Sequence, residues 1–448
     1  MIFANNFIFD NLKPTLYQKT MFKKLTTIVF LLITILTLAH PDKKAVEQAL
    51  YNLKNVTFHQ LDSKDDSYLV YELKIKQPID HNDESKGFFY QKVHFYHRGF
   101  EQPTIMETNG YDLYVRASEM VDYLQSNYLN IEHRYFGESI PEGKPWQYLT
   151  MEQVTGDLHE INQLFKELYK GKWISTGISK GGQTTIYYRY FYPNDVDVSI
   201  PYVAPFNQSL EEPRIYSFLN QVGDKSCRDK IQKIQIQLFE NKEAILEKLN
   251  WYAKGANLTF DYIGSLEKAF EYAVLEYSFA FWQSGHSCEL IPATDNIDEL
   301  TEYFLSISNI DFFSDRDINK YASHYYQAGT QLGYYGYDIT PFKKYVSFTS
   351  NPLATFMPEG TSYSSFDDKL IKKVKTWLDE KANNILYVYG ETDTWSASMV
   401  IPTKKVNSKS YVLPKKNHGQ ARVKNMSPNM QKDFFDTLEK MSNLKPVK

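Results

Sequence analysis

The stretch that most restricts what this chain can become is ISTGISKGGQTTIYYRYFYP, residues 174 to 193. A β-branched run stops at Gly177, one serine is presented, and a helix-forming run starts again at once. Gly177-Ile178-Ser179-Lys180-Gly181 has the Gly-x-Ser-x-Gly form. That turn is so tight that side chains at the glycine positions would collide with the adjoining strand and helix, and the serine is pushed into solvent with strained backbone. The pentapeptide alone is only moderately specific; the strand KWISTG before it and the helix GGQTTIYYRYF after it supply the context the turn requires.

The same rhythm extends on both sides. SYLVYELKIKQPIDH, YQKVHFYHRG, QPTIMETNGYDL and NYLNIEHRYFG read as strands, and Thr150 caps a helix that runs to Gly171 with Leu158, Ile161, Leu164, Phe165 and Leu168 at helical spacing. DVSIPYVAPF is a further buried strand. Strand alternating with helix predicts an α/β fold, a mostly parallel sheet with helices on both faces. From about 207 to 345 the strands cease. DKIQKIQIQLFENKEAILEKL, SLEKAFEYAVLEYSFAFWQ, NIDELTEYFLSIS and INKYASHYYQAGTQLG are helical patterns only, the mark of an inserted all-helical lid over the carboxyl edge of the sheet. The sheet resumes within 346–448 at NILYVYG and ends with KSYVL and a closing helix, so residues 41–206 and 346–448 form one α/β domain around a lid at 207–345.

Composition narrows the partner. A 448-residue chain with 42% hydrophobic residues can bury a full core, and a net charge of -4 without a Lys/Arg block excludes a nucleic-acid path. MFKKLTTIVFLLITILTLAHPDKK has lysines at 23 and 24, an apolar run from Leu25 to Ala39 and a small-residue site before His40, the order of a secretory signal peptide. The run of 15 residues is short for a bilayer span, so residues 1–40 read as a leader plus a cleaved signal starting at Met21, and the mature protein as secreted or periplasmic with no membrane attachment. In an oxidising compartment the two cysteines, Cys227 and Cys288, predict one disulfide. His286 beside Cys288 is too sparse for zinc, and His94 and His97, three apart on a strand, point to opposite faces.

A serine hydroxyl needs a base, and the base an orienting acid; in this architecture they follow in the order Ser, Asp or Glu, His. Asp393 lies just past the strand NILYVYG and His418 just past SYVL, both where loops leave the carboxyl edge of the sheet. Glu391 competes with Asp393 for the acid role, whereas no histidine other than His418 follows Asp393. The oxyanion of an acyl-transfer intermediate would be held by the backbone N–H of Lys180 and that of Gly110 or Tyr111 in METNGYDL, with no role required of the lysine side chain. Glu132, His133 and Arg134 close a strand without a nucleophile nearby and read as a buried charged network under the site. This chemistry calls for no metal and no cofactor.

QPIDH, IEHRYFGES, STGISKGGQT, RYFYPNDVD, YVAPF, AFEYAVLEYSFAFWQ and YYQAGTQLGY together resemble the S37 serine peptidases, of the secreted tripeptidyl aminopeptidase type, and more distantly the S28 prolyl carboxypeptidase type. The resemblance runs from about residue 60 to the C-terminus. It implies an α/β-hydrolase domain with a helical lid, removal of short peptides from free N-termini, and in some members a preference for proline at the cleavage site. Residue by residue it places Ser179 at the nucleophile, Asp393 at the acid and His418 at the base. Such an enzyme needs an acid for the substrate ammonium, and Glu211 and Glu212 in NQSLEEPRIY are the candidates; here the sequence departs from the family pattern at Pro213 and Ile215, and both carboxylates also suit a helix start. The expected partners are peptides with free N-termini; no feature of the sequence specifies an oligomeric state. A carboxylesterase or lipase with the same triad is the competing reading, against which stands a lid rich in Tyr and charge, and a non-catalytic binding protein on the same fold is the third.

Overall fold

A computed structural model describes residues 43–113, 117–348 and 353–447. The leader and signal read at residues 1–40 lie outside them. Nine strands form one sheet: β1 (Val56–Leu61), β2 (Leu69–Pro78), β3 (Phe88–His97), β4 (Thr104–Thr108), β5 (Asn127–Ile131), β6 (Trp173–Ile178), β7 (Val198–Tyr202), β8 (Leu386–Gly390) and β9 (Lys409–Leu413). Their order is β1-β2-β3-β5-β4-β6-β7-β8-β9. The pairings from β1 to β5 are antiparallel, and every pairing from β5 to β9 is parallel. This is the α/β-hydrolase architecture expected from the sequence.

The parallel strands are short apolar runs because both their faces are covered. All five residues of β4, β5, β7 and β8 are buried. Alternate residues feed opposite cores: Ile105, Ile174, Val198 and Ile200 pack with Met120, Leu124, Phe434 and Leu438 on one face, while Met106, Leu129 and Trp173 meet Leu158, Ile161 and Phe165 on the other. The helices Glu119–Leu124 and Pro428–Ser442 therefore cover one side and Met151–Lys166 the other, where Lys180–Phe191 and Lys369–Glu380 add Ile186, Ile371 and Val374. Thr150 caps the first of these through Oγ1, which accepts the Gln153 N–H at 3.3 Å.

Between β7 and β8 the described residues are helical, with a core of their own that includes Leu238, Leu249, Phe270, Val274, Phe304 and Phe313. The pattern at 229–249 is divided into two helices, Lys225–Glu240 and Lys242–Gly255, at Asn241, whose side-chain N–H returns to the Gln237 carbonyl at 2.9 Å. This core also takes in Leu353, Phe356 and Met357, beyond residue 345. Cys227 and Cys288 are joined as a disulfide across it, with Cα atoms 5.4 Å apart. No helix among the described residues is long and apolar enough to cross a membrane.

Candidate active site

Parallel neighbours present their carboxyl ends along one edge, so the segments following β4, β6, β8 and β9 converge there. Ser179 follows β6 with φ 59° and ψ -122°, a left-handed conformation unusual for a residue with a side chain. It is locked from both sides, because its N–H donates to the Tyr202 carbonyl at 2.9 Å and its carbonyl accepts the Gln183 N–H at 2.9 Å. A Cβ on Gly177 would sit 2.4 Å from the Gly181 carbonyl oxygen, and one on Gly181 would sit 2.6 Å from that of Thr108. The elbow thus requires glycine at both positions, and the serine side chain is left on the wall of a cavity of about 640 Å³.

His418 lines the same cavity. Its Nδ1–H donates to Asp393 Oδ2 at 2.8 Å, which leaves Nε2 free. Asp393 is fully buried, and its other oxygen accepts the Trp395 N–H at 3.1 Å. Glu391, the competing acid, is exposed and accepts the Lys415 N–H at 2.7 Å. Helix Leu266–Ser284 ties down both loops: its Phe279 carbonyl accepts from Thr394 Oγ1 at 3.0 Å, Gln283 from the His418 N–H at 3.1 Å, and Ser284 from Asn417 Nδ2 at 2.8 Å.

Gly110 lies against the start of the elbow helix, where a Cβ would meet Lys180 Cβ at 2.6 Å and the Gly181 nitrogen at 2.8 Å. Gly110 and Tyr111 are both on the cavity wall. The Lys180 side chain, of which the sequence reading required no role, is 3% exposed and donates to the Gly110 carbonyl at 2.8 Å. His133 explains its second contact. Nδ1 of His133 must carry the proton, since it faces the Arg134 carbonyl at 2.7 Å, so Nε2 accepts from Lys180 Nζ at 3.3 Å. Burial holds the Lys180 amine well below the ordinary lysine range and His133 well below the ordinary histidine range. The rings of Tyr111 and Phe136 lie 5.5 and 5.4 Å from Nζ.

The network at 132–134 supports this floor. Arg134, wholly buried, binds Asp157 through Nε and Nη2 at 2.7 Å each and also donates to the Pro78 and Ile79 carbonyls. Glu132 accepts the N–H groups of Glu138 and Ser139 and the Ser139 hydroxyl. These contacts join QPIDH to EHRYFGES, two segments distant in sequence.

Glu211 and Glu212 do not reach the cavity. Glu212 is buried against Arg214, with oxygens 2.7 Å from Nε and Nη2, and it caps the helix Pro213–Leu219 by accepting the Arg214 N–H. Glu211 is exposed and accepts the Tyr216 hydroxyl. The Glu212 carboxylate is used to start that helix and to pair with Arg214. Three acids do line the cavity, Glu107, Glu119 and Glu276, the last on helix Leu266–Ser284. Sequence reasoning missed it, yet a signal existed: Glu276, Phe279, Ala280 and Gln283 fall at the spacing of a single helix face, and all four line the cavity.

A family model described as PS-10 peptidase S37 matches residues 41–440. A prolyl tri/tetrapeptidyl aminopeptidase of Streptomyces mobaraensis is 33% identical over 336 residues, covering 73% of this chain and 70% of that protein. Among solved structures, a proline iminopeptidase of Mycobacterium smegmatis aligns over 83% of this chain and 99% of its own at 11% identity, TM-score 0.34. A 2-hydroxy-6-oxo-6-phenylhexa-2,4-dienoate hydrolase of Rhodococcus sp. strain RHA1 aligns over 86% and 100% at 10% identity, TM-score 0.37.

Proposed function

The chain belongs to the PS-10 peptidase S37 family, and from that premise we propose that it is an exported serine exopeptidase that releases short peptides, tripeptides among them, from free N-termini, with proline favoured at the cut. Ser179 Oγ attacks the peptide carbonyl, and His418 Nε2 takes the hydroxyl proton and passes it to the leaving amine. Asp393 holds the imidazole in the required tautomer. Water then attacks the acyl-enzyme with His418 again as base. The N–H of Lys180, with that of Gly110 or Tyr111, receives the oxyanion. The helical block acts as a lid that admits chain ends and turns away folded protein, and the signal at Met21 to Ala39 directs the protein to the periplasm or beyond.

The observation that carries this reading is the 2.8 Å bond from His418 to the buried Asp393, on the wall of the cavity that Ser179 also lines. The test is digestion of an unblocked peptide mixture beside an N-acetylated copy. Short N-terminal fragments released from the unblocked set alone are the expected result. Hydrolysis of small esters with no peptide cleavage would establish the esterase instead. Ser179→Ala is expected to abolish release while the fold is retained; activity surviving in that variant refutes the mechanism.

A further inference from the structure

Helix Leu266–Ser284 carries two buried glutamates with opposite circumstances. Glu271 has a cation, Lys242 Nζ at 3.0 Å, and also accepts from the Ser347 N–H and hydroxyl. Glu276, 8% exposed, has none. Its hydrogen bonds come from two phenols, Tyr335 at 2.9 and 3.0 Å and Tyr337 at 2.8 Å, and no Lys, Arg or His among the described residues forms an ion pair with it. Desolvation pushes its carboxyl up to about 7. A carboxylate out of water with no counter-charge is an unfavourable arrangement unless something supplies the charge.

The surroundings specify what would supply it. Glu276 lines the cavity that holds Ser179 and His418. Beside it Phe279 stacks on Tyr335 at 4.1 Å, Tyr334 on Tyr335 at 4.3 Å, and Trp395 meets Tyr335 edge-on at 5.4 Å. Aromatic faces next to an unpaired carboxylate favour a cation over an anion or a neutral group. The other carboxylates of the cavity wall are already engaged. Glu107 accepts the Tyr128 hydroxyl and lies within the field of Arg422, and Glu119 accepts the N–H groups of Val423 and Lys424.

We propose that Glu276, held by Tyr335 and Tyr337, binds the free N-terminal ammonium of the peptide substrate, and that this anchor is what confines cleavage at Ser179 to a bond near the chain end. The inference rests on the reading of the site as a peptidase. It differs from the assignment to Glu211 and Glu212, neither of which lines the cavity. Acetylation of the substrate amine removes the cation and would leave the carboxylate unpaired in the bound complex, a penalty of the kind that costs a few orders of magnitude at a buried charge pair.

The experiment compares kcat/KM for one fluorogenic peptide with a free N-terminus and for its N-acetylated copy, in the native protein, Glu276→Gln and Tyr337→Phe. Glutamine keeps the shape and removes the charge. The expected result is a strong preference for the free amine in the native protein that falls about 30-fold or more in Glu276→Gln, chiefly through KM, and less in Tyr337→Phe. Labelling of Ser179 by a fluorophosphonate confirms that each variant is folded. Should Glu276→Gln slow both peptides alike and keep the native preference, Glu276 is structural and the inference is wrong. Equal cleavage of both peptides by the native protein also overturns it. A native protein that turns over small esters but neither peptide overturns the peptidase reading itself, and the anchor with it.

Discussion

Lys180 follows the nucleophile in sequence, and its backbone and its side chain serve the same loop from opposite directions. While its N–H is proposed to receive the oxyanion, its Nζ holds the Gly110 carbonyl at 2.8 Å and so fixes the rotation of the peptide that carries the Tyr111 N–H. Lys180→Met keeps the volume and removes that donor. A loss of roughly 10- to 100-fold in kcat is expected, with KM changed little, because a misdirected donor is felt in the transition state more than in substrate binding. Stability moves the other way. The buried amine has its pKa depressed, whereas in the unfolded chain it stays near about 10.4, so between these values the unfolded state binds the extra proton and stability rises with pH. Lys180→Met is therefore expected to raise Tm at pH 7 and to gain progressively less as the pH approaches 10, measured by thermal unfolding across that range. Ser179, Asp393 and His418, the three groups proposed for catalysis, were legible in the sequence because each lies in a loop that follows an apolar run and their order is fixed by the chain. The partners of Lys180 could not, since Gly110 is 70 residues away and nothing local to either residue announces the other.

Helix Leu266–Ser284 is the element on which the site depends outside the sheet. It presents Glu276, Phe279, Ala280 and Gln283 to the cavity, and its carbonyls hold the Asp393 and His418 loops. Its end is set by Gly285, φ 74°, where a Cβ would lie 2.1 Å from Asn417 Nδ2, one residue before His418. Gly285→Ala would have to adopt a conformation costly for L-residues and displace Asn417 as well. It is expected to lower kcat by about tenfold while Tm falls by less than about 4 °C, a split that separates misplacement of the histidine from general instability. The helix itself was visible in the sequence, but its terminus and its grip on the two loops were not. Helical periodicity states which residues share a face, not which loop that face meets. The first helix, Lys43–Asn52, and strand β1 were not read either, being short elements at the edge of the sheet, of which only Val46 and Leu50 of the helix are buried.

At the scale of the molecule, two kinds of core coexist: those flanking the sheet, and the helical core containing Leu238, Phe270 and Phe304. The disulfide closes a span of 61 residues within the second. A loop of that length is worth up to about 4 kcal/mol of unfolded-state entropy in the chain model. Cys227→Ser with Cys288→Ser is expected to raise hydrogen exchange across residues 225–288 while β4, β6 and β7 stay protected; uniform deprotection of both regions would show that the two cores unfold as one.

The amino-acid sequence determined the class of fold and the identity of the three groups proposed for catalysis. Strand and helix runs, the glycine-bounded serine and the order Ser, Asp, His are all written in local pattern. Tertiary structure alone decided how the polar groups are paired: that Glu212 is neutralised by Arg214, that Lys180 lies beneath Gly110, and that Glu276 faces the cavity with phenols and no cation. The reason is physical. Apolar burial is non-directional and leaves a periodic trace in the chain, whereas the role of a charge depends on which partner lies within about 3 Å, and that is set by crossovers between segments far apart in sequence.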